Sequence, residues 1–408
     1  MALQGGAHGL GSCCAMWLFC ASAHAKDVPD VKVDESGLTV GSKNDPVRFE
    51  LGGRLHTDFG AGGSRALSNE FPFTADVRRF WIEPKLTISG DLILNLQYDP
   101  TSASTPINNL LASYKGISSW TITVGNFKEP FSLEQLISNN DTTFMERSLA
   151  DTFAPGRNTG FAIGTHGKSW TLAAGVYGGN VNADVGRRGV AGTARATFAP
   201  ILTDTTVLHF GLAGSYRSFD RSGPDFSFDT TPESFLFRTS LVDTGTIADT
   251  SAVGRFGLEG ALAYGPLRIQ AEFIATNVER IGARSLSFQG GYVYAAWVIN
   301  GKAPRYVLEA DIATEIGVFK RVTPDASQRV SRGGTGVFEL AARYSAIDVT
   351  EREIGGGRQQ DATIGLNWYP EPYMRVMANY VHAWTDATAV TNQPTQAEIG
   401  QVRLQLAF

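Results

Sequence analysis

The feature that most constrains this chain is an alternation of apolar and polar side chains that recurs from about residue 47 to the end. Phe49, Leu51 and Leu55 share one parity, and Arg48 and Arg54 share the other. Successive side chains of a β-strand point to opposite faces, so this period predicts strands with one apolar face. Similar runs recur at 80–88, 92–98, 120–124, 208–216, 256–264, 267–273, 338–344 and 364–368. The sequence therefore predicts many strands with no helix between them.

The distances between these runs set the size of the sheet. A strand plus its connection takes roughly 20 to 25 residues, which predicts about 16 antiparallel strands closed into a transmembrane β-barrel. After the first 25 residues, no segment approaches the roughly 20 continuous apolar residues of a membrane-spanning helix. Short turns are predicted at 89–91, 199–200, 264–266 and 369–372, and outer loops at the longer polar stretches 218–234, 321–334 and 385–396.

A soluble sandwich or propeller would also alternate apolar and polar positions. Two features favour the membrane barrel. Aromatic residues gather at strand ends, at 368–369 and 380–384, as in the aromatic girdles at bilayer interfaces. The chain ends in an unbroken alternation from Val402 to Phe408. We interpret Phe408 as the signal that the barrel assembly machinery reads, and outer-membrane lipid as the partner of the apolar face.

The first 25 residues differ from the rest. An apolar run from Cys14 to Ala21 leads to a small-x-small site, so residues 1–25 are predicted to be a signal peptide cleaved between Ala25 and Lys26. A lipoprotein signal with Cys20 acylated is the alternative. Residues 26–46 are predicted to be a periplasmic lead-in segment with no fold of its own, and 47–408 the barrel of a Gram-negative outer membrane.

Composition excludes several classes of function. All three cysteines lie in the predicted signal peptide, which leaves no thiol for disulfides or catalysis. The formal charge of −5 argues against a nucleic-acid partner. The histidines have neither metal-ligand spacing nor a neighbouring nucleophile, so we expect no metal, no cofactor and no enzyme. A structural or adhesin barrel without significant conductance remains the alternative to a channel, with a barrel enzyme less favoured.

Five sequence blocks resemble one known family. They are Gly125–Ser132, Phe144–Leu149, Pro155–Gly160, Phe338–Ser345 and Thr363–Pro370, and the chain resembles the phosphate-selective porin O and P family over roughly residues 47 to 408. The resemblance implies a 16-stranded barrel, a homotrimer, a third loop folded into the lumen, and passage of small anions such as phosphate. The chain has only nine lysines beside 26 arginines. Because lysine-rich mouths accompany phosphate selection in this family, the shortage weakens the expectation of strong phosphate selectivity.

The polar parity predicts which charges face the lumen. A charge facing lipid at mid-membrane costs roughly 2 to 4 kcal/mol, which requires arginines to point inward in any barrel. The predicted lumenal arginines are Arg48, Arg54, Arg79, Arg195, Arg217, Arg255, Arg268, Arg343, Arg375 and Arg403. Seven carboxylates share that face: Glu50, Asp58, Glu83, Asp99, Glu259, Glu272 and Glu339. The small positive surplus predicts a modest preference for anions.

The constriction is expected in the loop from about Asn126 to Asn158. Its cations are Lys128, Arg147 and Arg157, and fixed cations in a narrow lumen lower the barrier to anions. The alternative is that these side chains only anchor the loop to the barrel through salt bridges. Arg79 is a further candidate. In the pair Arg78–Arg79, it is the only residue with the lumenal parity.

Overall fold

The structure is a computed structural model that describes residues 30–34, 37–41, 45–64, 67, 69–183, 189–219 and 226–408. The predicted signal peptide, with its cleavage site at Ala25 and Lys26, lies outside the described residues. Two short strands open the described chain, β1 (Val31–Asp34) and β2 (Gly37–Val40). They form a hairpin, and β2 continues onto the first barrel strand through Leu38 opposite Leu51. The described part of the predicted lead-in segment 26–46 is therefore a hairpin that extends the barrel sheet.

Sixteen antiparallel strands form the barrel wall within the described residues, which confirms the predicted number. The sheet closes because the last strand pairs with the first, with Arg403 opposite Asp58. The sixteen are β3 (Val47–Ser64), β4 (Asn69–Ile88), β5 (Leu92–Tyr98), β6 (Ile107–Ile117), β7 (Trp120–Lys128), β8 (Arg157–His166), β9 (Trp170–Tyr177), β10 (Val190–Leu202), β11 (Thr206–Ser218), β14 (Thr250–Tyr264), β15 (Leu267–Arg280), β16 (Ala283–Val298), β19 (Val337–Glu351), β20 (Ile354–Glu371), β21 (Met374–Thr385) and β22 (Thr395–Ala407).

The connections contain the remaining elements, which are short. They are β12 (Asp229–Thr230), β13 (Val242–Asp243), β17 (Tyr306–Val307), β18 (Val318–Phe319), the helix α1 (Leu133–Leu136) and the 3₁₀ turns Leu149–Phe153 and Val330–Arg332. In the described part of the chain, no helix is long and apolar enough to cross a membrane.

The two ends of the barrel differ. Strands alternate in direction, so the turns at 89–91, 118–119, 167–169, 203–205 and 265–266 lie at the same end as the C-terminus. Short turns mark the periplasmic end of an outer-membrane barrel. The connection 299–336 lies at this end too, since the Ala303 N–H donates to the Gly265 carbonyl at 3.1 Å. The prediction that 321–334 is an outer loop is therefore wrong.

The two faces of the wall separate as the alternation predicts. On β11, Phe210 and Leu212 point outward and are about half exposed, at 51% and 54%, whereas His209 and Ala213, which flank them, point inward and are buried. The same pattern places large apolar side chains on the outside of every wall strand from β5 to β22. Such a surface fits hydrocarbon, and the inward face holds the polar residues.

Candidate functional site

The interior of the barrel is the candidate site, and two connections occupy part of it. The first is residues 129–156, between β7 and β8. Its Leu133 N–H donates to Glu272 on β15 at 2.9 Å, and its Asn140 carbonyl accepts from Gln405 on β22 at 3.1 Å. Arg403, also on β22, donates to the Met145 carbonyl. Since β15 and β22 are distant from β7 in the strand order, residues 129–156 lie against the inner face of the far side of the barrel.

The second inward connection is residues 299–336, which enters from the periplasmic end. Thr314 Oγ1 donates to the Lys128 carbonyl at 2.9 Å, and Arg195 donates to the Ile316 carbonyl at 2.7 Å. Asp311 lies 3.5 Å from the Lys85 ammonium and 3.2 Å from that of Lys115. The connection thus spans from β16 to inward side chains of β4, β6 and β10. Sequence reasoning did not identify Lys85, Lys115 or Asp311, because it placed part of this connection outside the barrel.

Most of the predicted lumenal arginines point inward and are buried, but they differ in their partners. Six have a carboxylate partner within hydrogen-bonding distance: Arg48 with Glu50 (3.1 Å), Arg54 with Glu83 (2.8 Å), Arg195 with Glu259 (2.7 Å), Arg217 with Glu129 (2.7 Å), Arg343 with Glu134 (3.0 Å) and Arg403 with Asp58 (2.7 Å). Such pairs satisfy the buried charge of the guanidinium. They add little to the net potential of the lumen.

A second group of cations has only neutral hydrogen-bond acceptors. Arg375 donates to the Thr142 carbonyl at 2.6 Å and to Gln405 at 2.7 Å, and Arg268 donates to the Thr143 hydroxyl. Arg157 donates to the Asn109 side-chain oxygen at 3.0 Å. Within the described residues, neither these three nor Arg255 has a carboxylate within 4.0 Å. These guanidiniums add positive potential to the lumen, and more distant carboxylates offset part of it, Glu315 and Glu83 at Arg157 and Glu129 at Arg255.

Lys128 and Arg147 bind the same short stretch of backbone. The Lys128 ammonium, which is 2% exposed, donates to the carbonyls of Leu136 (3.3 Å) and Ile137 (3.2 Å). Arg147 donates to the Glu134 and Ile137 carbonyls, both at 3.0 Å. These contacts favour the anchoring interpretation for Lys128. Arg147 keeps part of its side chain exposed, at 15%, and lies 3.9 Å from Asp151.

The pair Arg78–Arg79 departs from the predicted parity. The register of β3 and β4 shifts here, so that His56 faces Arg79 while Thr57 faces Val77, and Arg78 is the extra residue of a β-bulge. Both arginines consequently reach Glu146 in the first inward connection, Arg78 at 2.9 Å and Arg79 at 3.8 Å. The expectation that only Arg79 faces the lumen is therefore wrong.

One part of the inner wall combines aromatic, cationic and amide groups, and its Arg54 and Trp81 are buried, at 6% and 4% exposure. The guanidiniums of Arg54 and Arg157 lie 4.1 Å and 5.7 Å from the centre of the Trp81 ring, within range of cation–π attraction. The Trp81 indole N–H donates to Asp99 at 2.8 Å, and Glu83 accepts from Gln97 at 2.8 Å. This surface on β3 to β8 lies outside the contacts that residues 129–156 make with β15 and β22.

Two carboxylates of the first inward connection have opposite pKa shifts. Burial raises the pKa of Asp151 to about 6, against the opposing effect of the Arg147 guanidinium. Burial also acts to raise the pKa of Glu146, but Arg78, Arg403 and Arg79 outweigh it and hold that pKa well below its usual range. Glu146 is therefore an anion throughout the physiological range, and Asp151 changes its charge near pH 6.

Comparison with known proteins identifies the class of this barrel. Residues 49–408 match the family described as phosphate-selective porin O and P. This chain belongs to the phosphate-selective porin O and P family. Porin O of Pseudomonas aeruginosa is 26% identical over 450 aligned positions, which cover 98% of this chain and 99% of that protein. The chain is thus an outer-membrane porin, a channel for passive diffusion, as the sequence predicted.

Solved structures share its fold at low identity. A trimer form of in-vitro folded OmpT from Vibrio cholerae aligns with a TM-score of 0.56 at 9% identity, over 89% of this chain and 100% of that one. An anion-selective porin from Comamonas acidovorans aligns with a TM-score of 0.52 at 11% identity, again over 89% and 100%. These similarities support the barrel architecture of the porin.

Proposed function

We propose that this porin forms a water-filled channel with a modest preference for small anions, phosphate among them, and that it works as a homotrimer. One observation carries the anion preference: half-buried Arg157 has a neutral hydrogen-bond partner, whereas four of the seven predicted lumenal carboxylates, Glu50, Asp58, Glu83 and Glu259, are paired with other arginines. A cation that no carboxylate contacts directly raises the local concentration of anions in a narrow pore. The trimer rests on family membership and on a solved trimer form among the fold neighbours.

The proposed constriction consists of Arg54, Arg79, Arg147 and Arg157, with Glu83, Glu146 and Asp151 as opposing charges. Both signs occur on each side, because Glu83 lies on the wall and Glu146 on the inward connection. Opposed charges orient a solute in the transverse field without giving tight binding. Phosphate is therefore proposed as one permeant anion among several, with no strong saturable site.

Neutralising Arg157 tests this proposal. Arg157→Gln should move the reversal potential of the channel toward cation permeation in a salt gradient, and should leave the single-channel conductance nearly unchanged. Arg352→Gln is the matched control, because Arg352 lies in an exposed turn beside Glu351. Equal effects of the two substitutions would contradict the role of Arg157. Block of chloride current by micromolar phosphate would contradict the absence of a strong phosphate site.

A further inference from the structure

The outer face of the barrel changes from apolar to polar at a definite height. On β19, the outward side chains from Phe338 to Ala346 are apolar or aromatic, and the next outward side chain, Asp348, is charged. At a rise of about 3.3 Å per residue and a tilt of about 40°, the climb from Phe338 to Asp348 is roughly 25 Å, the height of the apolar band of an outer-membrane barrel. Because Phe338 lies at the periplasmic end, Asp348 lies at the level of the outer-leaflet headgroups.

The wall has a cleft at this height. Strand β16 pairs with β19 only up to Gln289, which lies opposite Asp348. Beyond that pair, residues 283–288 of β16 have no strand partner on the side of β19 among the residues that the structure describes. The hairpins β15–β16 and β19–β20 meet again at their tips, where Arg280 lies 2.6 Å from Glu353. A cavity of about 620 Å³ lies between and beside the two hairpins.

The inner side of this cleft is closed by apolar packing. Leu286 and Phe288 of β16 and Val349 of β19 point inward and are at most 2% exposed. They belong to one hydrophobic cluster with Phe228 and Val242, which lie in the connection between β11 and β14. The cleft is therefore separate from the lumen, and a ligand would reach it from the membrane.

The polar groups of the cleft suit a phosphorylated sugar. Its lining includes the exposed side chains of Asn277, Ser287 and Gln289, whose amide and hydroxyl groups can donate and accept hydrogen bonds. Arg358 adds a cation with a side chain that is 60% exposed, 2.7 Å from Asp348. An exposed ion pair of this kind contributes little to stability, so a phosphate can replace the carboxylate at the guanidinium at small cost.

Below the cleft, the outer wall is apolar again. Phe256, Phe273 and Val293 point outward there and are each 40–46% exposed. A polar cleft joined to an apolar wall fits an amphiphile that has a hydrogen-bonding, phosphorylated headgroup and acyl chains. The outer leaflet of a Gram-negative outer membrane consists of such a molecule, since lipid A is a phosphorylated glucosamine disaccharide with several acyl chains.

We propose that this cleft binds the headgroup of lipid A. Arg358 binds a phosphate, and Asn277, Ser287 and Gln289 bind hydroxyl and amide groups of the sugars. The acyl chains lie along the apolar wall below. The site is on the outer face of the barrel, so it is independent of the solute pathway.

Native mass spectrometry tests the site on purified, delipidated full-length protein that is titrated with lipid A in detergent. We expect saturable binding, and Arg358→Gln should weaken it roughly ten-fold, because a charge-assisted pair with phosphate is lost. Arg238→Gln is the matched control and should bind as wild type does. Arg238 is also exposed, at 67%, and paired with a carboxylate, Asp76, but it lies in the connection between β11 and β14.

A second variant tests the cleft without changing its charge. Ser287→Trp fills the cleft and keeps Arg358, and it should also weaken binding several-fold in protein whose gel shift on heating shows that it is folded. Unchanged affinity in both Arg358→Gln and Ser287→Trp would overturn the site. Equally tight binding of phosphatidylglycerol, or of lipid A without its phosphates, would overturn the headgroup assignment. Displacement of lipid A by millimolar inorganic phosphate would identify a site for free phosphate instead.

Discussion

Glu146 holds more cations than any other side chain in the first inward connection. It lies within 3.0 Å of Arg78 and Arg403 and 3.8 Å from Arg79. Replacing Glu146 by Gln removes the negative charge and leaves the three guanidiniums. The anion-to-cation permeability ratio should therefore increase roughly two-fold at low salt, where screening is weak. Reversal potentials measure this change. Glu353→Gln, in an exposed turn, is the control, and an unchanged or reduced anion preference in Glu146→Gln would count against the assignment.

Asp151 gives the lumen a pH dependence. Its pKa of about 6 means that it is charged at pH 7.5 and mostly neutral at pH 5. Lowering the pH therefore removes one negative charge beside Arg147, and the anion preference should rise. The variant Asp151→Asn should show the low-pH selectivity at both pH values. The role of Asp151 would be contradicted if the selectivity of the wild-type channel did not change between the two pH values. It would also be contradicted if the selectivity of Asp151→Asn still changed.

Single-residue placement could be predicted only as far as the alternation is regular. The inward positions of Arg195, Arg343 and Arg403 followed from parity alone, because an arginine facing lipid is too costly. Their partners could not be predicted, since Asp58 is 345 residues from Arg403 and Glu233 is 110 from Arg343. The bulge at Arg78 has no signal in an alternation pattern, because one extra residue changes parity without changing composition.

At the level of elements, buried ion pairs attach the first inward connection to the wall. Arg403 of β22 pairs with Asp58 of β3 and with Glu146 of the connection (2.6 Å), and it also donates to the Met145 carbonyl. Removing one member of a buried pair costs about 3–5 kcal/mol, because the other is left unpaired. Arg403→Met should therefore lower the temperature at which the folded barrel converts to the heat-denatured form on gels, and should increase current noise.

Two variants complete that test. Arg358→Met removes an exposed pair with Asp348 and should cost about 0–1 kcal/mol, so its transition temperature should be close to wild type. Combining Arg403→Met with Asp58→Asn should restore part of the lost stability, since the unpaired carboxylate is gone. Equal losses in Arg403→Met and Arg358→Met would show that the buried pair does not hold the connection.

The terminal strand closes the barrel through Phe408. Its carbonyl accepts from the Gly53 N–H at 2.8 Å, its N–H donates to the Gly53 carbonyl at 3.0 Å, and its ring points outward. Deleting Phe408 should reduce the amount of folded, heat-modifiable barrel several-fold, because two backbone hydrogen bonds and the terminal aromatic group are lost together. Phe408→Tyr is the matched control and should assemble normally. Wild-type assembly of the deletion variant would contradict this expectation.

The course of connections was harder to predict than the strands. The polar stretch 321–334 was assigned to the outer face by its composition, yet it belongs to a periplasmic connection that enters the barrel. Polarity cannot show at which end of the barrel a connection lies, because that depends on the number of strands before the connection. The alternation also did not reveal how short β5 is, because it gives the parity of a strand and not the residues at which pairing ends.

For the whole molecule, the central claim is that this porin forms an open channel that prefers anions modestly. Its most direct test is the reversal potential of the purified wild-type protein in a planar bilayer across a potassium chloride gradient. The account predicts stable conductance steps and an anion-to-cation permeability ratio of roughly two to five, because paired arginines and salt screening limit the field of the unpaired ones. Cation selectivity, or the absence of any conductance, would contradict it.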